Sequence, residues 1–562
     1  MANRYWVGGT GTWTTTTTNW SASSGGASGA SAPTAADSVF FDQAATYTVT
    51  MTGALTCLDI TVSAGTVTFT STGTLAVSGS MSLLAGTLWS ATGTITFNAT
   101  TSKTITTNAV TINSPITFAG VGGTWTLGSN LTLGLTLTTT LTNGTISLST
   151  FTLATGIFSS AGTAARSISF GTGNIDLTHT TAGTIVLAMA TATLFTVSGT
   201  GGFTSAMSVT RTFQFGSTAG GSATNSPNLS LTSGASIPTL SAASWFNTLN
   251  FNGSTCTPAS TTLNLNGLTL ALGGTYTNLT PTMVGTGTIT SNGNTTLTNL
   301  TINSTSGTTT LGADFALTAT STTTLTSGTL ALGTFTLSTG IFSSNNSTTR
   351  SISFGTGTIN LTHTTATTTV LNMPTVTGFT YTGTGGFTTA ATVARAVFFG
   401  NTAGGTSANA PNMTVTGTGT SVISFATGSW FNTLSFTSTV FNPGTTALNL
   451  NGLTLSPSGT FTSLTPTMVG TGTITSSGNT TLASLTIAST SGTTTLGDTF
   501  TLTATSTTTL TSGTLALANF TLSTGIFSSA GLLTRAISFG TGNIALTHTT
   551  AGTTVLSMAT VT

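Results

Sequence analysis

The chain has 562 residues, of which only 2% are charged: seven Lys or Arg stand against six Asp, with no Glu, for a formal net charge of +1. That balance gives no electrostatic pull toward nucleic acid or anionic lipid, so neither is expected as a partner. The residues that normally fill helix surfaces are scarce and Thr, Gly, Ser and Leu dominate, which predicts almost no helix. Disorder is not expected either, because the 37% of hydrophobic residues fall in regular alternation and can line a core. No apolar run approaches the roughly 20 residues a membrane-spanning helix needs. The opening MANRYWVGGTGTW has no apolar h-region behind a basic n-region, so neither membrane insertion nor a Sec signal is expected.

Residues 1–42 stand apart from the rest of the chain. They hold Tyr5, Trp6, Trp13 and Trp20 in a Gly/Ser/Thr background, then Pro33, Asp37, Phe40, Phe41 and Asp42. Large aromatic groups bury area that a Thr-rich stretch cannot. Tyr5, Trp6, Trp13, Trp20, Phe40 and Phe41 are therefore expected to form an anchoring or capping module over the first turn of a repeat structure.

From residue 43 onward the chain repeats itself. The run NGTISLSTFTLATGIFSSAGTAARSISFGTGNIDLTHTT from Asn143 returns as SGTLALGTFTLSTGIFSSNNSTTRSISFGTGTINLTHTT from Ser327, and again from Ser512. The matched arginines are offset by 350 − 166 = 184 and 535 − 350 = 185 residues. On this period the chain divides into a partial unit (43–140), two full units (141–324 and 325–509) and a further partial unit (510–562). Within each unit short apolar/Thr alternations predict strands, with Thr outward: in TLALGTFTLSTGIF, Leu330 and Leu332 share one face, as do Phe335 and Leu337, with Gly333 and Thr334 breaking the phase. Turns of roughly 20 residues would give about nine per unit. The predicted fold is an all-β, elongated β-solenoid (β-helix) with an aromatic N-terminal cap; separate β-sandwiches are the alternative. Because the sequence stops inside a repeat, an open sheet edge is expected, continued by more chain or covered by a partner.

Few residues invite a chemical reading. His179, His363 and His548 occupy one LTHTT position in successive copies, a full unit apart, so they cannot share a metal and are expected to be hydrogen-bonded at strand ends. Arg166, Arg350 and Arg535, with the second pair Arg211 and Arg395, precede apolar strands, where a guanidinium's five donors can satisfy loop carbonyls. A row of arginines binding an anionic glycan is the sharper alternative. The carboxylates Asp37, Asp42, Asp59, Asp176, Asp314 and Asp498 are scattered, and Asp176 becomes Asn360 and Ala545 in the other copies, so no acid/base pair of the glycosidase type can be assigned. Cys57 and Cys256 lie in different repeat copies and predict no disulfide framework. Glycine strings such as those at Gly8 and Gly199 have no following helix to hold a phosphate. No catalytic residue, metal or cofactor is expected.

The opening YWVGGTGTW, with NWS at Asn19, Pro33 and DSVFFD from Asp37, resembles the start of large β-helical, tail-fibre-like structural proteins of tailed phages. The segments from Gly122, Asn143 and Ala165 resemble the repetitive body of the same group, and autotransporter-type adhesins are more loosely similar. The resemblance implies a non-enzymatic, virion-associated fibre on a phage particle or tail. Such a protein would join other virion proteins through its N-terminal module, contact a host glycan or receptor, and could assemble as a homo-oligomer. A bacterial surface adhesin exported without a Sec signal is the runner-up; an ice-binding solenoid and a polysaccharide-degrading tailspike rank below it.

Overall fold

A computed structural model describes residues 1–14, 16–232, 234, 237–253, 257–259, 262–390, 392–417, 422–437, 442–443 and 447–558. Cys256 lies outside them. There is no helix among the described residues, hence none long and apolar enough to cross a membrane. About 54% of the chain is strand, and the strands stack as a β-solenoid of about 22 turns rather than closing into a barrel. By internal contacts the chain forms two units, Met1–Pro281 and Thr282–Thr562.

In the first unit, from Ser38 to Ala219, each turn contributes three strands, and every third strand pairs in parallel with its counterpart one turn on; beyond that the ladders join strands two apart or consecutive, as Asn228–Thr232 with Ser244–Phe251 and Ser244–Phe251 with Thr262–Thr269. The strands Ser38–Phe41, Thr46–Met51 and Ala54–Cys57 make one turn, and Ile60–Val62, Thr66–Thr70 and Thr74–Val77 make the next. Val39 pairs with Ile60 and Ile60 with Met81, a rise of 60 − 39 = 21 residues per turn. Parallel pairing rules out the sandwich alternative, whose strands run antiparallel. Registry is held by burial: Val39, Ile60, Met81, Ile105 and Leu127 succeed one another up the first ladder and are all buried. A slip of one residue would turn that whole file of apolar side chains to solvent. Later turns are longer, Ile168 pairing with Val197 across 197 − 168 = 29 residues.

The second unit repeats the register of the first. Arg350 pairs with Phe379 as Arg166 does with Phe195, and Ile359 pairs with Phe387 as Ile175 does with Phe203. The alternation runs as expected through Leu330, Leu332 and Leu337, all buried. Phe335 departs from it. It lies outside the strand Thr336–Thr339, half-buried, where its N–H donates to Leu332 O at 3.0 Å and closes the turn over Gly333. Phase-breaking at Gly333–Thr334 thus consumes Phe335 as well.

Candidate functional site: the aromatic module and the arginine cages

The N-terminal module is tied into the ladders by its own backbone. Asn3–Trp6 pairs in parallel with Ser38–Phe41, so it forms the first rung of one ladder, and Gly11–Trp13 pairs with Thr46–Met51 in the next. Trp20–Ser21 then runs antiparallel along Asn3–Trp6 and occupies the edge that a parallel rung would otherwise extend. Beneath these strands Trp6, Trp13, Trp20 and Phe41 are buried. Their rings meet edge-on or tilted: Trp6 to Trp20 at 5.2 Å, Trp13 to Trp20 at 5.3 Å, and Phe41 to Trp13 at 5.7 Å. The cluster continues into the body through Phe69, 5.0 Å from Phe41, and Trp89, 4.6 Å from Phe69. Trp6 Nε1–H donates to Gly9 O at 2.8 Å.

Because side chains alternate along a strand, Tyr5 and Phe40 point the other way. They are half-buried and stack on one another at 5.0 Å across the Tyr5–Phe40 pairing. Of the six aromatic residues singled out in the sequence, four therefore fill the interior and two remain available outside it. Asp37 locks the same corner: its carboxylate accepts from Ala2 N–H at 2.9 Å, Thr34 N–H at 3.0 Å and Thr34 Oγ–H at 2.7 Å. Burial alone would raise its pKa, but these hydrogen bonds and the charge of Arg4 outweigh that and hold it below the ordinary value.

The repeated arginines are built into cages of carbonyls. Arg166 donates from Nε to Ser160 Oγ at 2.7 Å, from Nη1 to Ala164 O at 2.7 Å and Thr193 O at 3.2 Å, and from Nη2 to Ser160 O and Thr191 O, both at 2.9 Å. Arg350 makes the same set with Ser344, Thr348, Thr375 and Thr377. Each guanidinium also lies over a ring on the following turn, Arg166 5.9 Å from Phe195 and Arg350 5.7 Å from Phe379. Arg535 bonds Ser529 Oγ, Gly531 O and Leu533 O within its own turn. In the second pair, Arg211 reaches Leu177 O, His179 O, Ser205 Oγ and Ala206 O, and Arg395 reaches Leu361 O and Thr389 Oγ. Burial pushes the pKa of Arg166, Arg211, Arg350 and Arg395 down from the usual arginine range. These four are no more than 4% exposed, so their heads face the interior and not a passing glycan.

The histidines are equally occupied. Nδ1 of His179, His363 and His548 accepts the N–H two residues on, from Thr181, Thr365 and Thr550, each at 3.1 Å. Among the described residues no three His, Cys, Asp or Glu side chains are placed to share a metal ion. The carboxylates are held apart by backbone and hydroxyl donors: Asp59 takes Ser80 N–H and Ser38 Oγ, Asp314 takes Thr336 N–H, and Asp498 takes the N–H groups of Ser476 and Ser477. Cys57 is a buried thiol, its pKa raised by burial and by the nearby Asp59 charge.

Two interior features escape a reading by alternation alone. Threonines stack inside the core: Thr139 Oγ donates to Thr155 Oγ at 3.1 Å, Thr323 to Thr339 at 3.0 Å and Thr508 to Thr524 at 3.1 Å. Asparagines also form ladders, Asn247 donating to Asn228 at 2.8 Å and Asn266 to Asn247 at 2.9 Å, repeated by Asn432 on Asn412 and Asn451 on Asn432, both at 2.9 Å. Their traces in the sequence are the recurrence of Trp-Phe-Asn at Trp245 and Trp430 and of LNLNGLTL at Leu263 and Leu448.

Comparison with protein-family models, with curated proteins and with solved structures finds no match to this chain.

Proposed function

We propose that this protein is a non-enzymatic, tail-fibre-like structural component of a phage particle, joined to other virion proteins through residues 1–42 and presenting its repeats to a host glycan or receptor. The observation that carries this reading is the use of the repeated polar groups. The arginines, histidines and most carboxylates bind the chain's own backbone, so their regular spacing serves the stacking of turns and not a substrate. Within the N-terminal module the tryptophans cap the first turn, and attachment to a virion partner falls to the outward Tyr5–Phe40 stack. The N-terminal motif and the repetitive body, both similar to phage β-helical proteins, support the same class.

The test is immunogold electron microscopy with antibody to the repeats. Label on phage tails, lost when Tyr5 and Phe40 are both replaced by Ser while the soluble protein is still made, is the expected result. Label confined to the bacterial envelope would replace this reading with the surface adhesin.

A further inference from the structure

In the first unit one file of strands ends in mid-chain, at Phe195–Gly199. That strand pairs with Arg166–Gly171 on one side, and among the described residues no strand continues the file on the other. The N–H of Arg166 donates to Leu194 O, which sets the phase of the pairing. Thr196 and Ser198 therefore turn their peptide groups toward Arg166–Gly171, and Val197 turns its N–H and C=O to the open side. There a cavity of about 200 Å³ lies between this edge and the loop that leads into Asn228–Thr232. Phe170 and Pro227 line it as buried apolar groups, Ser198 and Thr224 bring exposed hydroxyls, and Asn247 adds a carboxamide. None of the lining residues is charged.

The loop wall is closed by its own hydrogen bonds. Ser222 donates to Asn225 Oδ1 from its N–H at 2.8 Å and its Oγ–H at 2.9 Å, and Asn225 Nδ2–H donates to Gly220 O at 2.6 Å. The asparagine ladder ties it down, Asn266 Nδ2–H donating to Ala223 O at 2.8 Å. The second unit fixes its own loop by the same bonds, through Thr406, Asn409, Gly404 and Asn451. A wall organised in advance lowers the ordering cost of binding.

The second unit also shows what shape the space takes. Tyr381 stands there at the position of Val197, and Phe354 at that of Phe170, since 381 − 197 = 354 − 170 = 184. Val197 and Tyr381 share the inner face of their strands with their paired isoleucines, Ile168 and Ile352. The Tyr381 ring meets Phe354 edge-on at 6.3 Å. A six-membered ring carrying a hydroxyl thus lies where the shorter Val197 leaves a polar-walled space.

We propose that this cavity binds one terminal pyranose residue of a neutral glycan. The sugar ring takes the place of the Tyr381 ring, and its hydroxyls meet Val197 N–H and C=O, Ser198, Thr224 and Asn247. Neighbouring sugar hydroxyls both donate and accept, as this mixed set requires. The uncharged lining leaves an acidic sugar without a partner for its charge. That the glycan belongs to a host rests on the function proposed above; the recognition of the sugar does not.

The probes are glucose, galactose, mannose and N-acetylglucosamine, each free and as its methyl glycoside, titrated into the full chain while the methyl resonances of Val197 are followed. At least one methyl glycoside should bind saturably at millimolar concentration. Thr224→Val, at an exposed position, should weaken that binding about fivefold, the worth of one hydrogen bond. Val197→Tyr, which copies the second unit, should abolish it, and Tyr381→Val should raise the number of sites from one to two. Saturation by none of the probes, or undiminished binding to Val197→Tyr, overturns the proposal. So does binding of the free sugars alone, because a glycan terminus has its anomeric oxygen blocked. Immunogold label on phage tails without sugar binding removes this site and leaves the virion assignment standing. Sugar binding with label on the bacterial envelope does the reverse.

Discussion

The copies ending at Leu361 and Leu546 have nearly the same sequence and very different surroundings. Phe354 is fully buried and Phe539 is 49% exposed; Leu361 is 1% exposed and Leu546 37%. A little earlier in the same two copies the difference vanishes, since Thr323, Thr339, Thr508 and Thr524 are all fully buried. The residues are matched, so what changes is the turn stacked above them. In the covered copy, Phe387 and Tyr381 from the next turn close over Phe354, and the carbonyls of Thr375 and Thr377 complete the cage of Arg350. Stability in this fold is therefore a nearest-neighbour quantity: a turn's apolar face is hydrophobic core only when its successor is present.

The comparison breaks most visibly at the phenylalanines. Phe354→Ala removes a ring from a closed core and should cost about 3–5 kcal/mol. In the polypeptide 1–562, Phe539→Ala removes a half-exposed ring and should cost about 1 kcal/mol. Urea denaturation of the two variants measures the difference, and equal costs would mean that coverage by the next turn contributes little. Next in size is Arg350→Met, which leaves the carbonyls of Ser344, Thr348, Thr375 and Thr377 without their donor. At about 1–3 kcal/mol per unsatisfied buried group, after partial relaxation the loss should be about 3 kcal/mol. Arg350→Lys should recover only part of it, because one ammonium cannot reach all the points that the planar fork does. The smallest effect sharpens the comparison from the other side. Thr339→Val and Thr524→Val remove equivalent buried hydroxyls, which donate to Ile341 O and Ile526 O at 3.1 and 3.0 Å. Each should cost about 1–2 kcal/mol, and the two should agree, because both lie beneath a complete turn.

Much of this architecture was legible in the chain because it depends on pattern. Period-two alternation with a Thr-rich outer face identifies strands, and the 184- and 185-residue offsets identify duplication. The arginine cages were foreseeable from the guanidinium's donor count and its place before each strand, and the strand-end histidines from the continuation of the Ile175–Leu177 face. What could not be read is what depends on registry between turns. The alternation places Thr139 on the inner face with Leu141, but not the hydroxyl partner that satisfies it there, 16 residues away at Thr155. The tryptophans announced a module, but the inward direction of Trp6 comes from the pleat of Asn3–Trp6, which also sends Tyr5 outward. Phe335 fails the alternation because a left-handed residue at Gly333, φ +64°, begins a turn that absorbs it.

Amide hydrogen exchange resolved to single residues tests the central claim most directly, since matched residues in the two copies serve as each other's control. The amides of Ile352–Phe354 and Ile359–Leu361, under a complete turn, should exchange only through opening of the surrounding unit. Measured on the polypeptide 1–562, those of Ile537–Phe539 and Ile544–Leu546 should exchange at least a hundredfold faster, while Thr339 and Thr524 remain equally protected. Equal protection of the Ile352 and Ile537 segments would contradict the account and show that each turn is stable without its successor.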